Sequence, residues 1–292
     1  MALSGKDLIG QAKTGTGKTL GFGIPLVSRV TPPSSPDWAD YADAGKPQAL
    51  AVVPTRELAI QVAGDLERAS ANLGARVLCV YGGRSYEPQI EALQGGIEIV
   101  VGTPGRLLDH QRSKVGDYSK LEMFVLDEAD RMMDMGFWPD VRRIAELLPP
   151  GGKRQTMLFS ATMPDEVMKF ADALAPHAVF LQVGSRRGPA STITHEARVM
   201  QLREKIPYLA RVLRRKHETA IVFVNTKIGC DRLATQLRRE GLHAEAIHAD
   251  RPQEARTRAL EAFRAGRVRV LVATDVAARG LDIERDRKST RL

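Results

Sequence analysis

Two short strings in this chain carry residue types that could do phosphate chemistry together. The first is Ala12-Lys13-Thr14-Gly15-Thr16-Gly17-Lys18-Thr19. It follows an apolar strand-like run and opens an apolar-periodic segment, so the spacing predicts a strand, a glycine-rich turn and a helix start. That geometry aims consecutive backbone N–H groups at a phosphate chain. Lys18 would reach the terminal phosphates, and the hydroxyl of Thr19 would help hold Mg²⁺. Ala12 stands where the general GxxxxGK[ST] pattern has its first Gly. The second string is Met123-Phe124-Val125-Leu126-Asp127-Glu128. Four apolar residues would carry Asp127 to the carboxyl edge of a buried sheet. Adjacent acids there repel unless their environments separate their roles. Asp127 suits the water shell of Mg²⁺, and Glu128 suits orienting or deprotonating an attacking water. Taken alone, the acids read as a solvated strand end; paired with the phosphate loop, they read as a site.

For these strings to meet, the chain must build a sheet with helices on both sides. Short β-branched runs at residues 8–10, 50–53, 77–81, 98–101, 123–127, 156–160 and 179–183 alternate with helical patterns such as 56–73 and 165–175. Near-continuous apolar strands separated by helices predict a parallel α/β sheet covered on both faces. The alternation resumes with strands at 220–224, 244–248 and 268–274 and helices at 206–216, 228–239 and 253–265. Between the two series, Gly184-Ser185-Arg186-Arg187-Gly188-Pro189-Ala190-Ser191 is rich in breakers and reads as part of a linker over 184–193. Residues 31–47, rich in Pro, Ser and Asp, read as a surface excursion.

Composition agrees with two globular domains in 292 residues, with 43% hydrophobic and 27% charged side chains. That mixture excludes a mostly disordered chain, and two cysteines exclude a disulfide scaffold. No apolar run is long enough for a membrane span and no signal-peptide pattern opens the chain, so a cytoplasmic location is expected. The charge is uneven. Residues 1–183 hold 19 basic and 22 acidic side chains, a net of −3, whereas 184–292 hold 24 and 13, a net of +11. Such asymmetry fits a polyanion partner, and it fits equally an Arg-rich solvated surface.

Other residues have structural readings beside functional ones. Thr103-Pro104 and Thr162-Met163-Pro164 look like helix starts with a Thr cap. A helix N-terminus facing a cleft can also bind phosphate, so the two readings are compatible. Arg56 and Arg106 would add positive charge beside such N-termini and grip backbone phosphates without reading sequence. Cys79 in an apolar strand and Cys230 in a helical stretch read as core packing, and the scattered histidines, His248 included, as structural or hydrogen-bonding.

With Asp127-Glu128-Ala129-Asp130 on the page, the chain resembles the DEAD-box RNA helicases, bacterial type. The motifs follow in order over nearly its whole length. In that family Ala is usual at position 12 of the loop Ala12–Thr19. Pro54-Thr55-Arg56-Glu57-Leu58-Ala59, Gly82-Gly83 and Thr103-Pro104-Gly105-Arg106 resemble the RNA-contacting motifs of the first domain. Ser160-Ala161-Thr162 resembles the motif that couples ATP state to unwinding. In the second domain, Ile221-Val222-Phe223-Val224-Asn225-Thr226-Lys227 resembles the opening motif, and Gln253 with Arg256 fits a QxxR pattern after His248-Ala249-Asp250. Ala273-Thr274-Asp275-Val276-Ala277-Ala278-Arg279-Gly280-Leu281-Asp282 resembles the motif facing both RNA and nucleotide.

The resemblance implies an α/β fold of two RecA-like parallel-sheet domains, the second incomplete: 1–183, a linker at 184–193, and 194–285. It implies ATP and Mg²⁺ as cofactors and RNA as a largely sequence-independent partner, with local duplex unwinding as the two domains close on both. Lys18, Asp127, Glu128, Ser160 and Thr162 are expected to serve catalysis, and Thr19 and Asp127 the metal. The nucleotide is expected to meet Lys13, Thr14, Gly15, Thr16, Gly17, Lys18, Thr19, Gly280 and Asp282. RNA is expected to meet Pro54, Thr55, Arg56, Gly83, Thr103, Pro104, Gly105, Arg106, Asn225, Gln253, Arg256 and Thr274. Ribosomal or RNA-decay assemblies are conceivable partners, and the sequence identifies none.

The chain departs from the family at both ends. No adenine-reading Gln motif precedes the loop, and no HRIGR-like arginine-finger motif follows Ile283, so this chain by itself is expected to hydrolyse ATP poorly. A second domain short of part of its sheet would expose a strand edge and be marginally stable. Asp286-Arg287-Lys288-Ser289-Thr290-Arg291-Leu292 is what GATCGGAAGAGCACACGTCTG encodes, a string that looks like a common sequencing adapter; residues 286–292 are therefore expected to be a non-native tail. Two alternatives stay open: another P-loop enzyme such as a DNA translocase, and an ATP-independent RNA-binding scaffold.

Overall fold

Strands at 8–12, 49–52, 99–102, 123–126 and 155–160, buried at every residue but Gln11, form the middle of the first sheet, and the more exposed 77–80 and 179–183 form its edges. The computed structural model describes residues 1–12, 16–41, 45–183, 196–214, 219–274 and 289–291. Contacts divide the chain into two units, Met1–Arg187 and Gly188–Leu292, with the division inside the expected linker.

In the first unit, β1 (Leu8–Ala12) leads to α1 (Lys18–Arg29), and the short α2 (Trp38–Tyr41) precedes β2 (Ala49–Val52) and α3 (Arg56–Ser70). Then come β3 (Val77–Val80), α4 (Glu87–Gln94), β4 (Ile99–Gly102), α5 (Pro104–Arg112), β5 (Met123–Leu126), α6 (Ala129–Asp134) and α7 (Trp138–Glu146). β6 (Gln155–Ser160), α8 (Asp165–Leu174) and β7 (Val179–Val183) complete it. The strands form one seven-stranded sheet in the order β3-β4-β2-β5-β6-β1-β7, with every pairing parallel. All seven carboxyl ends therefore share one edge.

The period-two pleat divides each strand between two cores. Leu50 and Val52 join Leu107, Met132, Val141 and Val167 on the face covered by α5 to α8. Ala49, Ala51 and Val53 join Phe22, Leu26, Val62 and Leu66 on the face covered by α1 and α3. Fully burying one such aliphatic side chain is worth about 1.5–3 kcal/mol. Glycine is required at position 10 of β1, where a Cβ would lie 2.7 Å from the ring of Phe159.

Thr31 and Trp38, in the segment 31–47, are better anchored than its composition suggests. Gln48 exchanges hydrogen bonds with the backbone of Thr31, and Trp38 Nε1 donates to the buried Glu98 at 3.2 Å. Glu98 also accepts from Arg76 at 2.6 Å.

The second unit contains α9 (Leu202–Arg214), β8 (Ala220–Val224), α10 (Lys227–Arg239), β9 (Ala244–Ile247), α11 (Gln253–Arg264), β10 (Val270–Thr274) and β11 (Ser289–Arg291). Its four strands are parallel in the order β11-β8-β10-β9. Residues of α9 and α10 pack on one face, and α11 packs on the other. β11 comes from the tail set aside on sequence grounds. Edge pairing uses backbone groups that any non-proline residue offers, so this pairing is silent on the origin of those seven residues. Among the described residues, no helix is long and apolar enough to cross a membrane.

Candidate active site

The carboxyl edge of the first sheet brings the two sequence strings together. Gly17 adopts φ 81°, a left-handed conformation open to glycine, and serves as N-cap of α1. Lys18 thereby opens the helix, and its Nζ lies 3.8 Å from Asp127 Oδ1, with both side chains almost fully buried. β1 and β5 are separated in the sheet only by β6. Thr16 and Thr19 flank this point on the loop and the first turn of α1. Lys13, Thr14 and Gly15 lie outside the described residues.

The acids occupy a tight bend. The Asp127 N–H still donates to Val52 O, continuing the ladder at 3.0 Å, while its carboxylate accepts from the Glu128 N–H at 2.9 Å. Glu128 then turns into α6 at φ 55°, ψ 49°. A non-glycine residue held there costs of order 1–3 kcal/mol and turns the chain sharply into a helix. Burial raises the pKa of Asp127 above the usual carboxylate range, opposed by the Lys18 ammonium. Glu128 is raised too, first by burial and then by the Asp127 charge. Glu128 Oε2 is buried with no hydrogen-bond partner.

Asp130 was not among the site residues expected from sequence, and it is the best connected of the acids. Its Oδ2 accepts from the Thr162 N–H at 2.9 Å and the Thr162 hydroxyl at 2.7 Å, and its own N–H donates to Ser160 Oγ at 3.1 Å. Gln11 Nε2, at the end of β1, donates to Ala161 O at 3.3 Å. Ser160 and Thr162 thus hold Asp130, and the Ala161 carbonyl between them ties the end of β6 to β1. Their geometry is that of positioning residues. The expected Thr162 cap is corrected: α8 starts at Asp165 with Pro164 as its N-cap, and the Thr162 hydroxyl is spent on Asp130. The sequence signal was the acid three residues past Asp127.

The remaining expected residues of this unit lie along β3, β4 and β2, on the same edge. Thr55 caps α3 by accepting from the Leu58 N–H at 3.3 Å, with Pro54 buried before it. Arg56 follows at the first helical position. Gly83, at φ 85°, holds a left-handed conformation that favours glycine, and the Arg56 guanidinium lies against it. Thr103 is the N-cap of α5 and Pro104 its first residue, but no side-chain cap bond forms, so the Thr103 hydroxyl is not used for capping. Gly105 is exposed, with nothing within 4 Å of a Cβ position. Arg106 is 6% exposed, lying over Tyr86 and donating to Arg84 O at 3.1 Å. Its expected role as a surface cation meets a guanidinium that is largely enclosed.

In the second unit the expected residues also lie at carboxyl strand ends. Asn225 is exposed after β8, and Thr226 caps α10 through the Gly229 N–H at 3.0 Å. Thr274 ends β10, and Gln253 starts α11 and accepts from Arg256 Nη1 at 3.2 Å. His248 donates to Asp231 at 2.9 Å, which also accepts from Arg251 at 2.6 Å. His248 therefore has a structural partner, as expected. Gly280 and Asp282 lie outside the described residues. A cavity of about 370 Å³ lined by Arg238, His243 and Glu245 lies by the start of β9, away from these ends. The thiols are quiet: burial pushes Cys79 up to about 12 and Cys230 up to about 11.

A strand, a glycine turn with a helix-opening lysine, and a buried strand-end acid beside it define a P-loop α/β protein with RecA-like sheets. The chain belongs to the DEAD/DEAH box helicase family, whose model matches residues 1–170, and the helicase conserved C-terminal domain matches residues 204–287. The chain is 44% identical over 284 residues to the DEAD-box ATP-dependent RNA helicase CshA of Bacillus subtilis, covering 97% of this chain and 55% of that protein. It is 41% identical to the ATP-dependent RNA helicase RhlB of Pseudomonas putida, covering 97% and 71%. It therefore spans little more than half the length of its CshA relatives. Among solved structures, S. cerevisiae Dbp5 bound to RNA and ADP BeF3 matches with a TM-score of 0.80 at 30% identity, over 95% of this chain and 68% of that one.

Proposed function

We propose that the protein is an ATP-dependent RNA helicase that couples ATP binding and hydrolysis to local, largely sequence-independent opening of RNA duplexes. The observation that carries the ATP half is Lys18 Nζ at 3.8 Å from a buried Asp127 carboxylate, at the mouth of the phosphate loop. Lys18 and the loop amides hold the terminal phosphates. The Thr19 hydroxyl and Asp127 would hold the Mg²⁺ that accompanies them. The donor set fits that ion: the Thr19 hydroxyl and the buried Asp127 carboxylate are hard oxygen donors. Phosphate and water would complete the coordination of the ion. When bound, it neutralises charge on the transferring phosphoryl group. Glu128 orients the attacking water and takes its proton.

RNA is gripped at β3, β4 and β2 by Gly83, by Pro54, Thr55 and Arg56, and by Thr103 to Arg106. In the second unit Asn225, Gln253, Arg256 and Thr274 add contacts. Helix N-termini and arginines recognise phosphate and sugar, so the base sequence goes largely unread. Asp130, held by Ser160 and Thr162, links the two halves of the edge. The names of the relatives, ATP-dependent RNA helicases, support this reading.

The test is ATP turnover with and without single-stranded RNA or DNA of the same sequence, using this chain with its natural flanking sequence. Stimulation by RNA alone is expected, and Lys18→Ala abolishes it. Equal stimulation by DNA favours a DNA translocase; undiminished RNA release by Lys18→Ala favours a scaffold.

A further inference from the structure

Arg106 is held by a cluster that no motif string contains. Its guanidinium carbon lies 3.7 Å from the centroid of the Tyr86 ring, and Nη2 donates to Arg84 O at 3.1 Å. Nη1 is buried and has no hydrogen-bond partner. A guanidinium carries five donors, and a buried donor left unmade is costly, so the enclosure of Arg106 depends on its packing against Tyr86. Tyr86 is itself fixed. Its hydroxyl donates to Asp109 Oδ2 at 3.1 Å, and the ring of His110 meets it edge-on at 5.5 Å. His110 Nε2 donates to Gln89 Oε1 at 3.2 Å, and Gln89 Nε2 donates to Ser85 O at 2.9 Å. The links bind the turn after Gly83 to α5, and Arg106 lies at their centre.

We propose that Tyr86 is a positioning residue for Arg106, its ring and the Arg84 carbonyl fixing the guanidinium beside the start of α5, where its charge acts on the RNA phosphate bound there. The inference rests on the reading above that Arg106 meets RNA. A long arginine side chain has many rotamers, and a phosphate contact from a free one loses affinity to ordering. Stacking on an aromatic face removes that freedom beforehand while keeping the charge in place. Tyr86 is 40% exposed, so its ring is not a core element and its loss leaves the sheet intact.

The experiment measures affinity for a labelled oligouridylate across a salt series. It compares the full chain with Tyr86→Phe, Tyr86→Ala, Arg106→Gln and the double variant Tyr86→Ala/Arg106→Gln. Tyr86→Ala is expected to weaken binding about tenfold and to reduce the salt slope by about 0.7, the value of one phosphate on a single strand. Tyr86→Phe, which keeps the ring, restores both. The double variant binds no more weakly than Arg106→Gln, and nucleotide affinity without RNA stays at the level of the parent chain. An equal loss from Tyr86→Ala in both backgrounds overturns the proposal, as does a failure of Phe to rescue. A normal Arg106→Gln variant with an undiminished salt slope removes Arg106 from the functional reading itself. Loss at Arg106 with none at Tyr86 overturns this inference alone.

Discussion

One sheet edge carries two regions built on opposite principles. At β5, β6 and β1 the polar groups are enclosed: Asp127, Glu128, Asp130 and Ser160 are all less than a tenth exposed. At β3, β4 and β2 the helix starts are open around Gly83, Gly105 and the half-buried Arg56, although Arg106 is enclosed. Phosphoryl transfer gains from preorganised charge in a medium of low dielectric constant. Holding a polyanion along its length needs accessible amides and cations, because the ligand remains partly in water. The two regions should therefore fail differently when damaged.

The largest separation is expected between Glu128→Gln and Arg56→Gln. Glu128 is the buried acid with an unpartnered oxygen at the mouth of the loop. Its replacement should lower ATP turnover about 10²–10⁴-fold, the usual contribution of general acid–base catalysis, while ATP and RNA affinities persist. Arg56→Gln should weaken RNA binding and its salt slope while leaving RNA-free nucleotide affinity unchanged. Equilibrium binding of each ligand beside steady-state turnover checks both. Equal loss of turnover and of RNA affinity in each variant would break the division.

A smaller effect is expected where the regions are linked. Asp130→Asn keeps the shape but removes the charge that accepts two bonds from Thr162. Hydrogen bonds to charged groups contribute about 1.5–3 kcal/mol each, so the melting temperature of the first unit should fall. Strand separation per ATP consumed should fall more than ATP turnover itself. A duplex-release assay run beside phosphate release reads that ratio, and an unchanged ratio would remove Asp130 from the link.

Much of this division was legible in the sequence because it rests on period and on backbone geometry. The apolar run predicted at 123–127 is β5 with its acid at the end, and the pattern at 56–73 is α3 with its cap one residue earlier. Lys18 and Asp127 meet because parallel strands put their carboxyl ends on one edge. The rest depends on tertiary contacts without local signatures. Thr162 has the sequence of a helix cap, but Asp130 competes for its hydroxyl and wins. Arg106 reads as a surface cation until Tyr86, twenty residues earlier in the chain, is found beneath it. The segment 31–47 reads as loose because the partners of Thr31 and Trp38, namely Gln48 and Glu98, lie outside it, just before β2 and β4.

The finest test concerns His110, the enclosed titratable group on the open side of the edge. It is 1% exposed, and burial lowers its pKa below the usual histidine value, with the Arg106 charge adding to the effect. Asp109 on the same helix opposes the shift, and Gln89 and Tyr86 face the ring as neutral groups. A histidine depressed in the folded state takes up protons more readily when unfolded. Its neutral form thus adds stability that is present above its unfolded pKa and lost as pH falls through the ordinary histidine range toward the folded value. Between about pH 7 and pH 5, the parent chain should lose more thermal stability than His110→Gln, after each is referred to its own value at the higher pH. The same acidification should loosen the Tyr86–Arg106 stack, because a charged ring beside a guanidinium repels it. Oligouridylate affinity of the parent chain should therefore drop across that window more steeply than that of His110→Gln. Parallel curves for the two proteins would show that His110 packs beneath this region without governing it.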